Sequence, residues 1–151
     1  LYVTKDKQHV DHHTQVSHDF PNNSSNEYYK GILDDSSQAV FNGKIKVAPH
    51  AQKTNSTQYN KNLLLSKQAK VNTKPQLEIF ADDVKCSHGC TIGQLDEDAL
   101  FYLRARGLDE FGATALLLTA FASEVLNSVS NDALREELEV KIQSKLKEMR
   151  A

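Results

Sequence analysis

The stretch "QAVFNGKIKVAPHAQKTNSTQYNKNLLLS", Gln38–Ser66, decides the fold. It holds two apolar bursts, "QAVFNGKIKV" and "NLLLS", separated by polar residues and Pro49. Val, Ile, Leu and Phe suit a pleated, half-buried strand. Pro49 falls between the bursts, where no ladder needs its missing N–H. Asn42-Gly43 lies inside the first burst, and this dipeptide leaves a local hairpin open there.

Bursts of the same kind continue on both sides. "EYYKGILDD" precedes the stretch, and "AKVNT", "QLEIF" and "DVKCSH" follow it, bounded by Asn, Asp, Ser, Gly and Pro75. No two alternating runs are joined cleanly by a tight turn. Many brief strands with polar corners fit a sandwich, a barrel or a β-solenoid. The solenoid accounts for the brevity, because each side of a coil holds few residues and stacks on the coil below. No repeat period emerges to fix that choice.

After Asp96 the period becomes helical. "DEDALFYLRARG" opens on the N-cap candidate Asp96 and closes at Gly107, with Leu100, Phe101 and Leu103 on its apolar side. "DEFGATALLLTAFASEVLNSV" opens on Asp109 and is apolar nearly all round from Ala113 to Val129, so it should be buried on more than one side. "NDALREELEVKIQSKLKEMRA" starts near Asn131 and carries one stripe of Leu134, Leu138, Ile142, Leu146 and Met149. Residues 1–95 therefore form the β part and 96–151 the helical part. The helices need either the β part or a partner protein to lean on.

Composition narrows the function classes. The chain has 151 residues, 39% hydrophobic, with no Trp and a formal net charge of −2. No global field draws it to nucleic acid or to an anionic membrane. The longest apolar run, "ATALLLTAFA", is about half a membrane span. The chain opens on "LYVT", already strand-like and without a leader pattern, which points to a fragment of something longer. A solenoid opened there should expose the apolar edge of its first coil, so self-association near Leu1–Val3 is expected. Two cysteines make no disulfide framework and point to a reducing compartment.

Those two cysteines sit in "DDVKCSHGCTIGQLD", Asp82–Asp96, which places Cys86, His88 and Cys90 at alternate positions. In an extended strand the three share one face in a line with about 7 Å between neighbours, rather than a claw. A closed zinc site needs about four converging ligands, and no second CxxC or HxxxH exists. A Cys86–Cys90 disulfide would be over-stretched in a strand, unless Gly89 bends the chain. Two readings stay open: small buried thiols beside a hydrogen-bonded His, or a partial site completed by another subunit. His9, His12, His13 and His18 in the polar opening are read as solvent-facing or corner residues. Asp82-Asp83 reads as a turn. No phosphate loop and no nucleophile elbow occurs.

The segments "NLLLS" at Asn62–Ser66, "KPQLEIFADDVKCSHG" at Lys74–Gly89 and "LFYLRARG" at Leu100–Gly107 resemble the SufB/SufD family of iron–sulfur cluster assembly proteins, on its SufD side. The likeness runs from about His18 to Val129. It implies the C-terminal coils of a right-handed parallel β-helix followed by a small three-helix domain. It also implies a non-catalytic cytoplasmic scaffold of the SUF system. The implied partners are a SufB-like paralogue through the β-helix and the SufC ABC-type ATPase through the C-terminal helices, with a second copy of the chain when isolated. His88 of "KCSHG", with Cys86 as the neighbouring thiol, is the implied ligand of iron or a transient iron–sulfur cluster, none of it expected to stay bound on purification. The family form of the motif is "CSHGAT", so Cys90 departs from it and takes no role. A β-solenoid enzyme acting on polysaccharide is the alternative, and only Tyr28-Tyr29 hint at its aromatic groove.

Overall fold

A computed structural model describes residues 1–149. Seven strands come first: β1 (Tyr2–Thr4), β2 (His9–His18), β3 (Ser24–Leu33), β4 (Gln38–Val47), β5 (Asn55–Leu64), β6 (Lys70–Ile79) and β7 (Lys85–Gly93). Three helices follow: α1 (Glu97–Ala105), α2 (Glu110–Leu126) and α3 (Asp132–Glu148). The odd strands form one sheet in the order β1-β3-β5-β7, and the even strands form a second in the order β2-β4-β6. Every pairing is parallel. Successive strands thus alternate between two facing sheets, and the chain climbs one rung per turn. The fold is a parallel β-solenoid of about three turns with a small helical domain. Such crossovers take a right-handed path almost without exception.

The strands are longer than the bursts suggested, because β2 to β6 each run ten residues. The period was hidden because it is not constant. His9 lies opposite Gln38 and Gln38 opposite Lys70, so one turn takes 29 residues and the next 32. The corners absorb the difference. Asp6, Asn22, Asp35 and Lys53 turn them with φ between 51° and 61°, a conformation Asp and Asn tolerate better than most residues. Corners also stack: the Asp6 N–H donates to an Asp35 carboxylate oxygen at 3.0 Å, and the Ser36 N–H to the Asp6 carbonyl at 2.9 Å. Asp82 and Asp83 belong to such a corner, held by both ends of the Gln52 amide.

The two inner walls differ in chemistry. From β4, Ala39, Phe41, Ile45 and Val47 form an apolar wall. From β5, Ser56, Gln58, Asn60 and Asn62 are fully buried on the wall opposite. Asn42-Gly43 makes no hairpin, since both residues lie within β4. Gly43 answers a close approach instead: a Cβ there would lie 2.5 Å from Gln58 Nε2. Of the four histidines read as solvent-facing or corner residues, two turn inward, His18 from the last position of β2. His12 packs between the rings of Tyr2 and Tyr29, and buried His18 hydrogen bonds Ser25. His9 and His13 do face outward.

The helices lie on the outer face of the odd-strand sheet. Ile32 packs there against Leu118, Leu146 and Met149, with Val3, Leu63, Phe121 and Ile142 around them. Asp96, Asp109 and Asn131 cap the three helices through their side-chain oxygens. Gly107, at φ 98°, follows the end of α1. α2 is less enclosed than its composition implied. Leu118 is buried, but Leu116 is 50% exposed, and Phe101 of α1 is 75% exposed. The reading of 96–151 as helical includes residues 150 and 151, which lie outside the described residues. Among the described residues no helix is long and apolar enough to cross a membrane.

Candidate functional site

β7 is the last rung of the odd-strand sheet. It pairs with β5 alone, so its other edge is unpaired among the described residues. The register sets Cys86 opposite Ser56, His88 opposite Gln58 and Cys90 opposite Asn60. Alternation then places all three ligand candidates on the inner-wall side of the strand, in a line. Gly89 does not bend the strand. It lies in regular β7, where a Cβ would come 3.1 Å from the Tyr59 ring on the adjacent rung.

The three side chains differ in access. Cys86 is half-buried and packs against the cluster of Ile45, Val47, Ala48, Ala51 and Ala81. Burial pushes its thiol pKa up, and a backbone hydrogen bond from Ser56 opposes this more weakly. His88 and Cys90 are exposed. Both cysteines are free thiols. No group of three or more His, Cys, Asp or Glu side chains converges to hold a metal ion among the described residues. What stands ready is an imidazole and a thiol side by side, an incomplete ligand set open toward the space beyond the last coil.

A buried polar column supports this rung from below. Ser25 and Ser56 hydroxyls lie 2.7 Å apart, and His18 Nε2 lies 2.9 Å from Ser25 Oγ. Gln58 Nε2 donates to Glu27 Oε2 at 2.7 Å. Asn62 Nδ2 donates to Asn60 Oδ1 at 2.7 Å, and the Tyr2 hydroxyl donates to Asn62. Sequence reading missed this column because Ser, Gln and Asn look like corner residues when only apolar bursts count as strand. Strict alternation through "STQYNKN" was the available signal.

A second constellation joins solenoid to helices. Lys30 on β3 points outward, yet its side chain is fully enclosed beneath α2. Its ammonium donates to the Phe121 carbonyl at 2.7 Å, lies 2.6 Å from Glu124 Oε2 and sits 3.9 Å from the Phe121 ring centroid. The Tyr28 hydroxyl also donates to Glu124 at 2.7 Å, with Lys61 at 3.7 Å. Lys30 and Tyr28 hold the Glu124 carboxyl down at about 2. Tyr28 is thus committed to the helix seat, and Tyr29 points inward against Phe41. The two rings therefore share no face, and Tyr28 lines an outer hollow with Tyr59 and Lys61. Between α2 and α3, Leu108, Phe111, Ala115, Leu116 and Leu146 line an apolar groove of about 340 Å³.

Comparison with known proteins identifies the family. Residues 1–121 match the domain described as SUF system FeS cluster assembly, SufBD core domain. An iron–sulfur cluster assembly SufBD family protein of Synechocystis sp. is 46% identical over 138 residues, 91% of this chain and 30% of the relative. The iron–sulfur cluster assembly protein SufD of Escherichia coli is 46% identical over 123 residues, 82% of this chain and 29% of the relative. The chloroplastic protein ABCI7 of Arabidopsis thaliana is 43% identical over 138 residues, 91% and 29%. The chain therefore spans less than a third of the length of these relatives.

Proposed function

Because the chain belongs to the SufBD family of SUF-system iron–sulfur cluster assembly proteins, we propose that it is part of a non-catalytic scaffold that offers His88 to a cluster under construction. The observation that carries the proposal is the placement of His88: exposed, on the inner-wall side of the last rung, next to Cys86. The cluster is cargo, built where this chain meets a SufB-like paralogue that supplies the remaining ligands. A scaffold must release what it builds, and one imidazole beside one reluctant thiol makes a weak hold. Iron–sulfur clusters accept His in place of Cys. Burial raises the Cys86 thiol pKa, so metal must displace its proton to solvent before Cys86 can ligate. His88 is the readier ligand, Cys86 the lesser partner, and Cys90 takes no part.

The helical domain is the docking face for the SufC ABC-type ATPase, and its apolar groove beside Leu116 supports this. The complex works in the cytoplasm and keeps no resident cofactor. The test is reconstitution of the full-length complex with iron and sulfide, reading cluster absorbance beside thermal stability. His88→Ala should lose cluster while melting unchanged, and Cys90→Ala should retain it. Full retention in His88→Ala would place the ligands on the partner.

A further inference from the structure

We propose that Gln58 is a positioning residue for His88: a turn of the exposed ring lets the carboxamide oxygen, which is unpaired in the structure, accept the proton of one ring nitrogen and leave the other free to take iron. The inference rests on the reading of His88 as a ligand and adds a residue one rung below it. Glu27, Gln58 and His88 occupy the same register position on β3, β5 and β7, three consecutive rungs of one sheet. Neighbouring rungs lie about 4.8 Å apart, and side chains in register share a face.

The orientation of the Gln58 amide follows from chemistry. Its partner at 2.7 Å is a Glu27 carboxylate oxygen, which accepts and does not donate, so the NH₂ end must face Glu27. The oxygen is then the end left over. Gln58 is wholly buried, and its Oε1 is enclosed without a hydrogen-bond partner among the described residues. Gly43 closes the opposite side against the amide, because its missing Cβ is what makes room for Gln58. A buried carbonyl oxygen without a donor is costly. The next group in its column is an imidazole, whose neutral form carries one N–H and one bare nitrogen. Metal-binding histidines commonly pass their other N–H to a carbonyl or carboxylate, which fixes tautomer and ring orientation. The neighbouring column offers Cys90 no such acceptor, because the orphaned group of Asn60 beneath it is the donor Nδ2.

The experiment reads the tautomer directly, without iron. The chain is labelled with ¹⁵N in its histidine rings, and long-range proton–nitrogen correlation spectra are recorded where the imidazole is neutral, with His88→Ala to assign the signals. One His88 tautomer should dominate in the wild type. Gln58→Met keeps the volume but removes the acceptor and should return His88 to the mixture of free imidazole. Gln58→Glu restores an acceptor and should restore the bias. A solvent-like mixture in the wild type, or an unchanged ratio in Gln58→Met, overturns the proposal. In the full-length complex, Gln58→Met should also weaken iron loading by about 10-fold or more. A tautomer bias that depends on Gln58, combined with cluster retention in His88→Ala, would sink the ligand reading and leave the positioning intact.

Discussion

Glu124→Gln should loosen the helical domain from the solenoid far more than Lys30→Met does. The carboxyl of Glu124 is held near 2 rather than 4.5 by Lys30 and Tyr28. At about 1.36 kcal/mol per pH unit this sets a ceiling of about 3.4 kcal/mol. The Glu124 side chain is 52% exposed, so solvent screening lowers the expected loss to about 1–2 kcal/mol. For a domain of this size that is about 2–8 °C in melting temperature. Glu124→Gln strands a wholly enclosed ammonium without its counter-ion, whereas Lys30→Met fills the same slot with an apolar chain. Replacing a buried charge by a hydrophobe of similar volume is commonly neutral or stabilising, so Lys30→Met should stay within about 1 kcal/mol. Lys30→Met combined with Glu124→Gln should match Lys30→Met alone. The Glu124 contribution is complete above about pH 4.5 and is lost as pH falls through about 2, so the gap between wild type and Glu124→Gln should close on acidification over that window. Urea melts followed by the helical circular dichroism signal, across the four-member cycle and at several pH values, provide the assay. Additive losses, a larger loss in Lys30→Met, or a gap that ignores acid would refute the reasoning.

Further outcomes follow from other parts of the molecule. Leu116→Asp, on an exposed position of α2, should leave melting within about 0.5 kcal/mol of wild type yet weaken binding of the ATPase, measured by titration calorimetry. Leu118→Ala, fully buried, should cost about 2–5 kcal/mol and serves as the unfolding control. His88→Ala should shift stability by less than about 1.5 kcal/mol, as expected for an exposed ring, while cluster absorbance falls. The chain on its own should self-associate through its unpaired edge strands, and a monomer by light scattering at high concentration would contradict this.

The class of fold could be read from the sequence because apolar bursts and the switch at Asp96 both reflect burial. The coil length could not, because hydrogen-bond register sets it, and register leaves no mark on residue type when corners vary in length. The inner wall of β5 was hidden for a related reason. Residues 56, 58, 60 and 62 alternate as a buried strand should, but they bury amides and a hydroxyl rather than methyl groups. The inward turn of His12 and His18 is hidden for the same reason: a polar neighbourhood does not mark burial. The line of Cys86, His88 and Cys90 was legible, since strand alternation alone predicts it. Gln58 was not, because its importance comes from a residue 30 positions later that only register brings alongside. Lys30 escaped notice as an ordinary surface lysine, and only the seating of α2 encloses it.

The fit of Gly43 against Gln58 and Phe41 means that three positions share one volume. Alanine at 43 has no room while glutamine stands at 58 and phenylalanine at 41, and a shorter residue at 58 opens a void that glycine cannot fill. Neither Gly43 nor Gln58 can drift alone without disturbing the grip on Glu27 and, through the column, the rung that bears His88. The three positions should therefore change together across sequences of this shape, with a larger residue at 43 accompanied by smaller ones at 41 and 58. The freedom of the last rung to evolve is then limited by a strand of the opposite sheet with which it does not pair.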